Sequence, residues 1–330
     1  MQHPRALRYR DRDRFGVSRR QLSGPSWATP THGVYLLATD VGDLATRCRA
    51  IQLALPDDAV FTHITAAALR GWWLPSIRIP VIACSNATAP HLDRRGVYVR
   101  RCAVPTYQRL RRSGLRVASA ERTLLELAED LSPVDLVIAI DAALHFEDTT
   151  LASLARSVIP GRRGVRKLRE ALTLADHRSE SPWETVLRLL HKLGGIDVTP
   201  QYIVTDDHGV PVARGDLRVG ESRRLHEYDG AVHREGGQHG DDLGRDKALA
   251  RIQWERYGYT AKEIRVAPGQ ILRDAESVLG LPHDRRRVAA WLAEYDRSSL
   301  SPAGWHALIR RLRRFDRTDF PRRGSSSGAR

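Results

Sequence analysis

The chain has 330 residues, a formal net charge of +14 and a sequence pI near 10.4. Its ordinary apolar fraction excludes wholesale disorder, and at roughly 100–200 residues per domain the length predicts two or three domains. The basic surplus favours a polyanionic partner, nucleic acid first. No apolar run approaches the roughly 18 residues that a membrane span needs. The charged start Met1-Gln2-His3-Pro4-Arg5 does not read as a secretory signal, so the expected location is cytoplasmic. Cys48, Cys84 and Cys102 are odd in number and widely spaced, with no CxxC pair, so neither a zinc site nor a disulfide is indicated.

Residues 1–14 are too charged to be expected to pack. Val17-Ser18-Arg19-Arg20-Gln21-Leu22 predicts a short helix with Ser18 as its cap, followed by a Gly/Pro/Ser-rich turn and a strand over Gly33–Leu37. That order has the outline of a winged helix. Helices are expected over 43–54 and 64–69, and strands over 81–84 and 97–100. A helical stretch starts at Ser119, breaks at Pro160-Gly161 and resumes over 165–174. This middle region reads as helix-rich with a small sheet. His63 lacks co-ligands and reads as a helix-start or core residue.

A new unit is expected to begin near Ala175. Ser181-Pro182-Trp183-Glu184 carries a helix start, with Ser at the N-cap, Pro at the first position and Glu at the third. Val186, Leu187, Leu190 and Leu193 give that helix one apolar face. Strands over 201–204, 212–219 and 224–229, a helix over 242–257 and a strand over 259–266 follow. Further helices are expected over 284–295 and 302–314, and the end, Arg322 to Ser327, should be disordered. Four segments result: 1–40, 41–175, 176–275 and 276–330. The fold class is α/β (α+β).

The chemistry is concentrated in the third segment. Asp216 lies on one predicted strand and Glu227 on the next; side chains alternate along a strand, so Glu227 and Asp229 share a face that Asp216 can join. Converging carboxylates of this kind hold Mg²⁺ (or Mn²⁺) for phosphodiester hydrolysis, and without a cation they oppose one another. The competing readings are ordinary ones. Asp229-Gly230 can be only a turn, Glu227 a solvent-facing strand residue, Glu184 a helix cap, His233 a surface loop histidine, and Arg245-Asp246 a helix-start pair. His226 should face away from Glu227. Asp216 and Glu227 are the candidate metal ligands, joined by Asp229, Glu184 and His233 as candidate catalytic groups. Arg19, Arg20, Arg214 and Arg245 are the candidate DNA contacts.

Arg178 to Glu184, Ala213-Arg214-Gly215-Asp216-Leu217, Glu227-Tyr228-Asp229-Gly230 with His233, Asp242 to Asp246, and Tyr257-Gly258-Tyr259 together resemble an actinobacterial family. Its C-terminal domain is similar to very-short-patch-repair (Vsr-like) endonucleases of the PD-(D/E)XK superfamily. The resemblance covers about residues 176–270. It implies a restriction-endonuclease-like core, a central mixed sheet flanked by helices. It also implies Asp216 and Glu227 as metal ligands, with Glu184 as an auxiliary carboxylate. Asp229 stands where the superfamily usually has a lysine. Either Asp229 is a further ligand and His233 or Arg245 replaces the cation, or catalysis is weak or absent. Residues 15–160 resemble more loosely the winged-helix and middle regions of AbiEi-type antitoxins. The matching pieces are Gly16 to Leu22, His32-Gly33-Val34-Tyr35 and Ser119 to Leu127. The two resemblances imply, respectively, a metal-dependent DNA endonuclease serving defence or repair, and a catalytically inactive DNA-binding regulator with a cognate toxin as partner.

Overall fold

The computed structural model describes residues 4–77, 80–85, 93–230 and 238–315, an α/β protein of mixed sheets flanked by helices. Two compact units emerge: residues 1–72, 76–130 and 308–330 form the first, residues 73–75 and 131–307 the second. The boundary expected near 175 therefore falls inside the second unit.

In the first unit, β1 (Ala6–Arg8) pairs with β3 (Val34–Leu37), which also pairs with β2 (Trp27–Thr31). Residues 1–14 thus do more than the charge count suggested. Leu7 points inward between the half-buried Ala6 and Arg8 and is 1% exposed, against Val17 and Leu22. Leu22 ends α1 (Arg19–Leu22), where Ser18 and Gln21 exchange side-chain-to-backbone hydrogen bonds in a capping box. The stretch expected as a turn is partly β2. Next come α2 (Leu44–Gln52), β4 (Val60–Phe61), α3 (His63–Leu69), β5 (Val81–Ser85), β6 (Asp93–Arg94), β7 (Val97–Arg101), β8 (Arg109–Arg112), β9 (Leu115–Ala118) and α4 (Ala120–Leu127). The strands form a six-stranded sheet in the order β6-β7-β5-β4-β9-β8, larger than the small sheet expected. The hairpin β8–β9 escaped notice because its outer strand is mostly arginine. Its turn, Ser113-Gly114, has both residues at positive φ, the geometry that tight hairpins require. The core beneath the sheet contains Cys48, Ile51, Phe61, Ala83 and Val117, all fully buried.

His63 opens α3 as a core residue, its Nε2 2.8 Å from Asp130 Oδ2. Arg314 grips the same carboxylate with both terminal nitrogens, at 2.5 and 2.7 Å, and Arg311 donates to the Asp130 carbonyl. Burial alone would raise the Asp130 pKa, but His63 and Arg314 hold it at about 2. Its folded value is depressed, so the stabilisation is present above the ordinary value of 3.8 and is lost as pH falls through about 2. Arg314→Ala should cost about 1.5–3 kcal/mol in denaturant unfolding at pH 7, the range for charged hydrogen bonds. An unchanged midpoint would show that the clamp is decorative.

The second unit starts with α5 (Pro133–His145), whose residues Val134 to Leu144 are buried on every side. α6 (Leu151–Ser157), α7 (Val165–Leu172) and α8 (Pro182–Leu193) follow. α5 is a core helix, which requires any polar group it carries to be paired. Asp141 meets that requirement. Its Oδ2 accepts from Arg188 Nη2 at 2.6 Å and Thr185 Oγ1 at 2.8 Å, and its Oδ1 from the Asp176 N–H at 2.8 Å. This network ties α5 to α8 and to the segment leading into it.

Beyond α8 lie β10 (Val198–Thr205), β11 (Pro211–Val219), β12 (Arg224–Tyr228), α9 (Gln238–Arg251) and β13 (Glu255–Tyr259). The sheet order is β10-β11-β12-β13; the first two pairings are antiparallel, and β12 and β13 run parallel with α9 as the crossover. Two expectations are corrected here. The helix expected to run to Tyr257 ends at Arg251, because Gln253 sits at φ 59°, outside helical geometry. The strand expected over 259–266 occupies Glu255–Tyr259 instead. Thr260 and Glu263 then form a capping box that starts α10 (Ala261–Val266). α11 (Pro268–Val278), α12 (Arg285–Tyr295) and α13 (Pro302–Leu312) complete the elements. Residues 322–327 lie outside the described residues.

Candidate functional site

The site is built on β11 and β12, with contributions from α8, α9 and β13. The pairing Leu217↔His226 places Asp216 opposite Glu227, and opposed residues project from the same face. Gly215, just before Asp216, lies under the Leu225 side chain, where an added Cβ would come within 2.6 Å of it. Asp216 Oδ2 accepts the Tyr228 N–H at 2.8 Å, so the carboxylate closes the strand pair beyond its last ladder bond. Among the described residues its other oxygen, Oδ1, accepts no hydrogen bond.

Glu227 is 5% exposed and both of its oxygens are engaged, Oε1 by Arg245 at 2.5 Å and Oε2 by Arg256 at 3.1 Å. Arg256 is the residue that sequence reasoning missed. It stands on β13 opposite Leu225, forks onto Asp246 at 2.8 and 3.3 Å, and lies 3.8 Å from Asp229. Asp229 is half-exposed and lies close over Gly258, where a Cβ would come within 2.0 Å of the carboxylate. Glycine is therefore required at 258 for Asp229 to occupy this place.

Glu184 keeps its capping position: its N–H donates to Ser181 Oγ at 3.2 Å. Its Oε2 turns back to accept from the Glu180 N–H at 2.8 Å and from Gln201 Nε2 at 2.9 Å. It is also close enough to raise the Asp216 pKa, so cap and acidic neighbour coexist in one residue. Arg245 is committed to Glu227 and to the Arg214 carbonyl. Arg214 pairs with Glu180 at 2.9 Å and is largely exposed. Arg19 and Arg20 are exposed on α1 in the first unit. His233 lies outside the described residues. His226 faces away, as alternation requires. It is fully buried, 2.9 Å from His191 Nε2, and burial holds its pKa well below the ordinary value.

The electrostatics are those of crowded acids. Burial first, then the Glu184 charge, push Asp216 up to about 6, against the Tyr228 N–H and Arg245. Burial raises Glu227 despite Arg245, with Asp216 adding to the rise. Burial also raises Glu184, and Glu180 contributes in the same direction. Such a group of acids gains from a hard cation. Asp216 Oδ1 is open to ligate one among the described residues, Glu184 is near enough to feel the same charge, and Glu227 would join when a guanidinium yields an oxygen. No three of these carboxylates lie within 4.8 Å of one another among the described residues; the three-residue grouping of that kind is Cys84, Cys102 and Glu126. A cation must compete with a proton on Asp216. Mg²⁺ or Mn²⁺ affinity at this site should therefore rise about tenfold per pH unit below about 6 and level off above it. Calorimetric titration at pH 5, 6 and 7.5 reads this directly, and a pH-independent affinity would remove Asp216 from the ligand set.

Two uncharacterized proteins of Mycobacterium tuberculosis, from different strains, are each similar to this chain, at 28% identity over 252 residues, covering 73% of this chain and 88% of each relative. No family model and no solved structure matches the chain.

Proposed function

We propose that the protein is a Mg²⁺- or Mn²⁺-dependent endonuclease-like enzyme that hydrolyses phosphodiester bonds in DNA. The observation that carries this reading is Asp216 facing Glu227 across adjacent strands, with Glu184 close enough to raise the Asp216 pKa. The order helix, three antiparallel strands, crossover helix, parallel strand is consistent with the restriction-endonuclease-like core expected from the motifs. The charge of +14 suits a polyanionic substrate.

A bound Mg²⁺ or Mn²⁺ supplies charge neutralisation at the scissile phosphate and acidifies a bound water. Asp216, anchored by the Tyr228 N–H, would hold the ion in a fixed direction, with Glu227 and Glu184 as flanking carboxylates. Arg256 stands between Glu227 and Asp229, so it supplies positive charge near the position where a lysine is usual in the resembled superfamily. Cytoplasmic location fits three free cysteines and the DNA substrate. Among the described residues, no helix is long and apolar enough to cross a membrane.

The test is supercoiled plasmid incubated with Mg²⁺ or Mn²⁺ and either wild type or Glu227→Ala. Metal-dependent nicking by the wild type that the substitution abolishes is the expected outcome, and nicking that survives it removes the assignment. A second reading is favoured by the two guanidiniums that neutralise Glu227 and by Asp229 at the usual lysine position. In it the protein is a DNA-binding regulator without catalysis, an AbiEi-like antitoxin with a cognate toxin. It predicts a metal-independent gel shift on its own promoter, stronger than on random DNA.

A further inference from the structure

A second cluster of reactive groups lies in the first unit and plays no part in the proposed hydrolysis. Cys84 stands on β5 and Cys102 just past the end of the parallel neighbour β7. Cys84 pairs with Arg100, so Cys102, two residues on, projects from the same face. The Cys102 N–H donates to the Ser85 carbonyl at 3.1 Å, which fixes the offset between the two. The two sulfurs and a Glu126 carboxylate oxygen lie within 4.8 Å of one another. Cys84 is fully buried; Cys102 is half-buried, between exposed Arg101 and Ala103.

The surrounding charges decide what this cluster is for. Arg122 Nη2 lies 3.2 Å from Cys102 Sγ, while its Nε donates to Glu126 Oε1 at 2.6 Å. Thr62 Oγ1 donates to the other Glu126 oxygen, and Arg100 stands 3.8 Å from it. The carboxylate is thus already neutralised, and two guanidiniums border the sulfurs. A dication gains little there, whereas a thiolate is stabilised.

We propose that Cys102 and Cys84 form a peroxide-oxidisable dithiol, with Cys102 as the attacking sulfur and Cys84 as the resolving one. The Cys102 thiolate attacks one oxygen of hydrogen peroxide. The O–O bond breaks, hydroxide leaves and takes a proton, and Cys102 becomes the sulfenic acid. The Cys84 sulfur then attacks Cys102 Sγ, displacing the hydroxyl as water, and a disulfide forms. Overall two thiols are oxidised and one peroxide is reduced to two waters. Arg122 is a positioning residue that holds the attacking sulfur as thiolate. Electrostatics agree with the geometry: the hydrogen bond with Cys84, then Arg122 and Arg100, lower Cys102 against burial and the Glu126 charge, while burial pushes Cys48 up to about 12. Cys48 is therefore an internal control.

The experiment treats the full-length reduced protein with limiting hydrogen peroxide and maps the products by mass spectrometry of unreduced digests. Wild type should lose two hydrogens and yield a Cys84–Cys102 cross-linked peptide. Cys84→Ala should stop at a dimedone-reactive Cys102 carrying one added oxygen, and Cys102→Ser should leave Cys84 reduced. Brief iodoacetamide labelling at pH 7 should modify Cys102 at least about tenfold faster than Cys48. Cross-linking through Cys48, Cys102 labelling no faster than Cys48, or a stoichiometric thiophilic metal protecting both sulfurs would each overturn the proposal. None of these readouts depends on nuclease activity.

Discussion

Asp141→Ala should destabilise the protein by about 3–5 kcal/mol, the largest single-residue effect expected in the fold. The substitution removes a charge that is fully buried and leaves the Arg188 guanidinium, 1% exposed, without its anion. It also strips the Asp176 N–H of its acceptor and the Thr185 hydroxyl of the shorter of its two. The damage falls on the junction of α5 and α8, the helix that carries Glu184. Circular dichroism with chemical denaturation measures the loss. The double variant Asp141→Leu/Arg188→Met distinguishes pairing from packing: it should recover most of the stability, because removing both charges removes the desolvation cost as well. A single variant within about 1 kcal/mol of wild type would show that water reaches the pair.

Asp216→Asn should have opposite effects on activity and stability. Loss of a ligand oxygen's charge should reduce metal-dependent cleavage by at least about 100-fold. Asparagine nevertheless keeps the shape and can still accept the Tyr228 N–H. The folded pKa of Asp216 is raised, from 3.8 to about 6, so its stabilising share is complete below 3.8 and is lost as pH rises through about 6. At pH 7 the ionised carboxylate therefore costs the fold at most about 3 kcal/mol. The variant should melt higher than metal-free wild type at pH 7 and equally at pH 3.5, and Mg²⁺ should raise only the wild-type melting temperature. A variant that melts lower at pH 7 would show that the carboxylate is held by partners rather than strained by crowding.

The sequence made some of this legible for identifiable reasons. Ser181, Pro182 and Glu184 marked the start of α8 because capping is local chemistry. The opposition of Asp216 and Glu227, and the turning away of His226, followed from strand alternation once the hairpin was placed. What stayed hidden depended on distant partners. Ala6-Leu7 is a short apolar pair in an arginine-rich stretch, and only pairing with β3 makes its segment a strand. The end of α9 is set by Gln253 in a left-handed conformation that glutamine does not advertise. Misplacing that end put Arg256 in a helix and removed it from view, although it is the arginine that bridges Glu227, Asp246 and Asp229. The Thr260–Glu263 cap was a visible signal for the correct boundary.

The clamp on Asp130 has a consequence for how the polypeptide is born. The first unit is discontinuous: its opening 130 residues leave the ribosome long before Arg311 and Arg314 are made. The intervening segment can reach its own native contacts in the meantime, since domains generally fold as units during synthesis. Until Arg311 and Arg314 are made, His63 is the partner the early portion can offer the Asp130 carboxylate. The full clamp on the amino-terminal half therefore closes only once residues 311–314 have been synthesised.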